Sequence, residues 1–210
     1  MIAIVDYGAG NLRSVEKALE RLGHAARITS DPGEILSASG VILPGVGAAA
    51  GIMGGLRRQG LVGPILEVIQ SGTPFLGVCM GLQVLFTESD EGGGEQCLDV
   101  LPGRVRRLPM GLKVPHMGWN DVHQARPHPL WEGIPDGSHF YFVHSFYVDP
   151  EQRSVVIGDT QYGVPFTSAV ARGNVMGTQF HPEKSGSLGI RIYDNFAKLV
   201  RDGLPGHSGD

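Results

Sequence analysis

Cys79 stands between two glycines in Gly77-Val78-Cys79-Met80-Gly81. Upstream, Thr73-Pro74 opens a short apolar run, Phe75 to Val78, which reads as a strand buried on both faces. Downstream, Met80 pairs with Val84, and Leu82 with Leu85 and Phe86, at helical intervals. The thiol therefore falls where a strand turns into a helix. Glycines two residues away on either side allow that turn to be sharp. A cysteine at a helix N-terminus is favoured as thiolate, the form that attacks electrophilic carbon. Such a nucleophile needs an imidazole base and a group to orient the base. The plain alternative is a small, buried, apolar side chain.

Among eight histidines, His181 in Gln179-Phe180-His181-Pro182-Glu183 offers that pair. Pro182 favours extended backbone at His181 and excludes a helix there. Residues two apart in extended chain project to one side, so Glu183 would reach the ring, hold its tautomer and stabilise the imidazolium. A His-x-Glu zinc deaminase would need a downstream Pro-Cys-x-x-Cys, which is absent. A structural histidine at a strand-end turn remains the alternative for this segment alone.

These groups require a sheet to carry them. Ile2–Val5, Ala25–Ile28, Gly40–Leu43 and the strand ending at Cys79 alternate with helical stripes. Those stripes are Leu12, Val15, Leu19 and Leu22 (closed by Gly23), Asp31–Ala38 and Leu61–Ile69. Alternation of this kind predicts a parallel, doubly wound α/β sheet, whose sites lie at the C-terminal ends of the strands. The loop after the first strand, Asp6-Tyr7-Gly8-Ala9-Gly10-Asn11, lacks the third glycine of a dinucleotide fingerprint. Pro44-Gly45-Val46-Gly47 ends another strand and is either an ordinary turn or a place where backbone N–H groups approach a ligand. Glu88–Glu95, with Gly92-Gly93-Gly94, reads as a surface loop. From Cys97 to Phe180 closely spaced strand signals (Leu101–Leu108, Phe140–Val148, Ser154–Gly158, Phe166–Arg172, Val175–Phe180) predict an antiparallel extension of the same sheet. Leu188, Ile192, Phe196 and Leu199 mark a closing helix. One domain over residues 1–203 and a flexible tail over 204–210 are expected.

Composition narrows the function classes. The 210 residues suit one domain with a full core. A net charge of −4 offers no basic surface for nucleic acid or anionic lipid, and no apolar run reaches the ~20 residues that span a bilayer. The first residues enter a strand with no basic leader, and Cys79 and Cys97 form no disulfide framework, which fits a reducing cytoplasm. The 32 glycines, against the ~15 of an average share of about 7%, follow no repeat and point to tight βα turns.

Taken together, Gly77-Val78-Cys79-Met80-Gly81-Leu82-Gln83 and His181-Pro182-Glu183 resemble the class I (triad) glutamine amidotransferases. Val5–Leu12, Pro44–Ala48, Val114–Asn120, Tyr141–Ser145 and Gln179–Ser185 are similar, within that family, to the glutaminase subunits of imidazole glycerol phosphate synthases. The likeness runs from residue 2 to about residue 200. It departs at Ala49, where Phe is common, and in the loose Gly92-Gly93-Gly94 run.

The resemblance implies hydrolysis of L-glutamine to glutamate and ammonia through a thioester on Cys79. His181 would act as acid and base and Glu183 as its orienting group, with no metal or cofactor. Backbone N–H groups of Met80 and of Val46 or Gly47 would bind the oxyanion. Gln83, four residues past the thiol, would contact substrate. Glu91, His144, Ser145 and Phe146 would hold the amino and carboxylate ends of glutamine. Asn11, Trp119 and Asn120 would face or couple to a (β/α)8-barrel cyclase partner that receives the ammonia. Three other readings stay open here: a subunit for anthranilate, pyridoxal phosphate or guanylate synthesis, a hydrolase of γ-glutamyl peptides, and an inactive binding relative.

Overall fold

The computed structural model describes residues 1–8 and 10–203; Ala9 and the expected tail lie outside the described residues. In chain order its strands and helices are β1 Ile2–Val5, α1 Leu12–Arg21, β2 Ala26–Thr29, α2 Pro32–Leu36, β3 Gly40–Gly45, α3 Ala49–Arg58, α4 Val62–Gln70, β4 Phe75–Cys79, α5 Met80–Gln83 and β5 Phe86–Ser89. There follow β6 Glu95–Gln96, β7 Leu101–Arg107, β8 His116–Gln124, β9 Ser138–His144, β10 Phe146–Pro150, β11 Val156–Tyr162, β12 Val164–Arg172, β13 Val175–Thr178 and α6 Gly186–Asp202. No helix among the described residues is long and apolar enough to cross a membrane.

The fold is a single α/β domain built on one sheet. Its main row runs β2-β1-β3-β4-β13-β12-β10-β7-β5-β6, with β11 bridging from β12 to β8 and β8 pairing β9. The first five strands of the row are parallel. Antiparallel pairing begins where β13 meets β12. β1, β3 and β4 are buried at every residue, as strands covered on both faces must be. The apolar stripe of α1 buries Val15, Ala18 and Leu19 against them.

Several elements differ from the sequence reading. The helix after Cys79 is a single turn, and Phe86 starts a strand instead of continuing it. Leu82, Val84, Leu85 and Phe86 are all buried, so their spacing satisfied a helical stripe and a buried strand alike. Residues 49–58 form α3 despite three glycines. Gly55 is needed there, because a Cβ would lie 2.5 Å from the Tyr7 carbonyl oxygen. The run 140–148 is two strands, broken at Ser145, with β9 on β8 and β10 between β7 and β12. β8, a nine-residue strand, carried no readable alternation. Glu88 and Ser89 belong to β5, which forms a short hairpin with β6 across a turn at Glu91–Gly93.

The elbow is the tightest place in the fold. Cys79 sits at φ 55°, ψ −108°, in a region that costs a non-glycine residue about 1–3 kcal/mol. A Cβ on Gly77 would stand 2.6 Å from the Gly81 carbonyl oxygen, and one on Gly81 would collide with the Leu43 carbonyl oxygen of β3. These glycines serve close approach rather than an unusual φ. Gly81→Ala is therefore expected to destabilise the chain by roughly 3 kcal/mol or more in urea unfolding. Gly63→Ala, at an exposed helical position with open space around its Cβ, should be stabilising by about 0.5–1 kcal/mol.

Candidate active site

Parallel pairing sets β4 between β3 and β13, with Gly45 opposite Cys79 on one side and Thr178 opposite Val78 on the other. The segment Gln179–His181 thus leaves its strand beside the thiol. A cavity of about 260 Å³ opens there, lined by Val46, Gly47, Cys79, Met80, Glu91, Pro115, Val143, His144, Ser145, Phe146, His181 and Lys184. Its volume suits one small molecule. Nine of the residues singled out from the sequence share this wall. Pro115, Val143 and Lys184 are additions whose sequence neighbourhoods carried only the resemblance.

His181 Nδ1 lies 2.9 Å from Glu183 Oε1, with both side chains buried. Pro182 does not exclude helix here; it opens a single 3-10 turn, Pro182–Lys184, as proline can at a first helical position. That turn, not continued extension, brings the carboxylate back to the ring. Glu183 Oε2 accepts from the Tyr193 hydroxyl at 3.2 Å, which fixes its second oxygen. Tyr193 belongs to the stripe of α6 and had no signal in sequence beyond its apolar neighbours.

Burial by itself would lower the His181 pKa, but the nearby Cys79 sulfur and the hydrogen bond and charge of Glu183 outweigh it and carry the value up to about 10. The same pairing outweighs burial at Glu183 and holds its carboxyl below the ordinary value. Glu183 takes Nδ1, which leaves Nε2. That nitrogen is buried with no hydrogen-bond partner among the described residues. The ring is an imidazolium at neutral pH, positioned to give a proton to a leaving group and recover one from water.

Two other histidines behave oppositely. Burial pushes His144 down to about 3 and His116 down to about 4, so both are neutral. His144 Nδ1 stands 2.8 Å from the Phe146 carbonyl, which can only accept, so the proton is on Nδ1 and Nε2 is the acceptor. His116 Nδ1, 2.9 Å away, must then be the donor to His144 Nε2. Its own Nε2 accepts from Asn120 Nδ2 at 3.3 Å. One carbonyl thereby fixes the tautomers of both rings.

The loop Val46-Gly47-Ala48 is exposed and held at both ends by distant side chains. The Val46 N–H donates to the Tyr7 hydroxyl at 3.3 Å, and the Ala49 N–H donates to Glu91 Oε2 at 2.7 Å. Val46 is therefore not a free oxyanion donor in this conformation. Gly47, at φ 88°, and Met80, in the first turn of α5, remain as candidates.

Gln83 departs from its expected place. It is fully buried and absent from the cavity wall; Nε2 donates to the Phe146 carbonyl at 2.8 Å and to Gln179 Oε1 at 2.9 Å. Its amide ties the Phe146 carbonyl to Gln179. Of the three residues read as partner-facing, Trp119 is 56% exposed. Trp119 packs edge-on to Tyr141, whose ring lies beneath Lys184 Nζ. Asn120 is engaged by His116 and the Gln161 carbonyl. Asn11 lies apart, on a separate cavity with Asp6, Arg13 and Glu16. Among the described residues no cluster of His, Cys, Asp and Glu could hold a metal ion.

The family model for class-I glutamine amidotransferases matches residues 3–199. The chain is 56% identical over 207 residues to the imidazole glycerol phosphate synthase subunit HisH of Moorella thermoacetica, covering 98% of this chain and 99% of that one. It is 54% identical to the subunit of the same name from Dehalococcoides mccartyi, covering 95% and 98%. A solved structure described as a glutamine amidotransferase shares the fold with a TM-score of 0.76 at 23% identity, over 96% of this chain and all of that one.

The buried ion pair gives a pH signature. His181, raised from 6.5 to about 10, contributes stability that is full below pH 6.5 and is lost as pH climbs through 10. Glu183, lowered from 4.5, contributes above pH 4.5 and loses it as pH falls through its folded value. The difference in melting temperature between the native chain and Glu183→Gln should thus be widest between pH 4.5 and 6.5 and shrink toward pH 10. A difference that grows with rising pH would contradict the pairing.

Proposed function

The chain belongs to the class-I glutamine amidotransferase family, and from that premise we propose that Cys79, His181 and Glu183 run its glutamine hydrolysis. It is the glutaminase subunit of an imidazole glycerol phosphate synthase, acting in histidine biosynthesis. The observation that carries the catalytic assignment is the His181–Glu183 pair at 2.9 Å beside a thiol held in an unusual elbow conformation.

The Cys79 thiolate attacks the side-chain amide carbon of glutamine. The carbonyl oxygen becomes an oxyanion, received by the N–H groups of Met80 and Gly47. His181 protonates the amide nitrogen, the C–N bond breaks, and ammonia leaves behind a thioester. Neutral His181 then takes a proton from water as the water attacks the thioester carbon. Collapse of the second tetrahedral species releases glutamate and restores thiolate and imidazolium. Glu183 and Tyr193 keep Nδ1 protonated and Nε2 aimed at the chemistry throughout.

Glu91, with one oxygen on the Ala49 N–H and its side chain on the cavity wall, would receive the substrate ammonium. In the segment 144–146 the donors, the Ser145 hydroxyl and backbone N–H groups, would hold the α-carboxylate. Released ammonia would pass to a (β/α)8-barrel cyclase subunit in the cytoplasm. Trp119 and Met117, 56% and 61% exposed, would anchor that partner near the cavity.

Cys79→Ala and His181→Asn should each lower glutamate release by about 10³-fold or more while leaving far-UV circular dichroism unchanged. Turnover retained in either purified variant would end the triad assignment. Glutamate release by the chain alone should be slow, and addition of the cyclase subunit with its ligand should raise it strongly. Equal rates with and without the partner would remove the coupling.

A further inference from the structure

We propose that Gln179 is a further catalytic residue, whose side-chain amide donates to the Cys79 sulfur and stabilises the thiolate, with Gln83 as the positioning residue that turns the amide the right way. The Gln179 Nε2 lies 3.7 Å from Cys79 Sγ, within the range of a hydrogen bond to sulfur. Both residues are buried, and the register of β13 on β4 brings them together, since Thr178 faces Val78 one residue earlier on each strand. The inference deepens the proposed function and rests on Cys79 being its nucleophile.

The direction of the amide follows from chemistry that cannot be reversed. The Phe146 carbonyl only accepts, so Gln83 must present its NH2 to it at 2.8 Å. The second hydrogen on that nitrogen goes to Gln179 at 2.9 Å, where an acceptor is required, so Gln179 offers Oε1. Its NH2 is thereby left to face the sulfur. A turned Gln179 would set a carbonyl oxygen against the thiolate and an NH2 against the NH2 of Gln83. Gln83 Oε1 stays buried without a partner among the described residues, which is the cost of holding this order. The sulfur then has beside it two groups of different kinds: a ring that must give up its proton during turnover, and a neutral amide donor that never does. When His181 hands its proton to the leaving nitrogen, and again when thiolate departs from the second tetrahedral species, Gln179 still donates to the sulfur.

The test is the pH dependence of Cys79 alkylation by iodoacetamide, followed by intact mass, in the full chain and in Gln179→Met, which keeps length and removes the donor. His181, His144, Glu91 and Lys184 share the cavity with the thiol, Glu183 pairs with His181, and the charge of Cys79 bears on Tyr7; none of these residues is altered in this variant. The alkylation midpoint should move to higher pH by about one unit, with glutamate release near neutral pH falling by about tenfold. A folded Gln179→Met with an unmoved midpoint overturns the inference, whatever happens to turnover, because a merely structural role would not shift the titration. Should the variant fail to fold, the native chain decides. The Gln179 side-chain 15N–H signals must follow the thiol titration, and signals that stay flat through it overturn the inference equally. Alkylation needs no glutamine, so a chain that shows the shift and releases no glutamate overturns the proposed function, and with it the catalytic role of Gln179, while an unmoved midpoint in a chain that does release glutamate overturns the inference alone.

Discussion

The ladders on either side of β4 are the constraint from which the site follows. One sets Gly45 against Cys79 and so brings the Val46–Ala48 loop over the thiol; the other sets Thr178 against Val78 and so delivers Gln179 and His181. A slip of one residue in either would turn the alternate side chains to the other face of the sheet. The glycines of the elbow hold these ladders close, because Gly77, Gly81 and Leu43 touch through backbone atoms where no Cβ fits. Reactive groups drawn from points a hundred residues apart in sequence are thereby fixed by backbone pairing, and side chains supply only the final orientation.

That orientation is electrostatic, and the same burial has opposite results on neighbouring rings. His181 is offered a carboxylate and a thiol, and their attraction outweighs desolvation. His144 and His116 are offered only a carbonyl, an amide and each other, so desolvation wins and they stay neutral. The charged ring is free to exchange a proton. The neutral pair, with His116 stacked against Phe142 and Tyr162, acts as rigid wall. Had a carboxylate stood beside His144, two imidazoliums would share one cavity with the sulfur.

Much of the arrangement was legible because its signals are local. The elbow glycines, the apolar run before Cys79 and the His-Pro-Glu sequence each carry a steric or electrostatic reason within a few residues. The parallel half of the sheet likewise announced itself through alternating strand and helix patterns. What escaped depends on contacts distant in sequence. Helix α3, with three glycines in its ten residues, carries no apolar stripe of its own strong enough to read, and Gly55 is there because Tyr7 packs on it. Gln83 read as a substrate ligand from its spacing, and only the Phe146 carbonyl, 63 residues away, shows where its amide is used. Val46 read as an oxyanion donor, yet its N–H belongs to a tyrosine 39 residues earlier. Tyr193 lay concealed in an ordinary helical stripe.

Cys97, the second cysteine, follows β6 with its thiol 3.5 Å from the Glu95 carbonyl. Burial first, and the nearby Glu95 second, push its pKa up to about 12. At physiological pH it carries almost no thiolate and stays quiet toward electrophiles. That leaves Cys79, which lines the cavity, as the thiol to address. A fluorophore, spin label or cross-linker offered at modest excess would report from the bottom of the cavity without the second cysteine having to be engineered away.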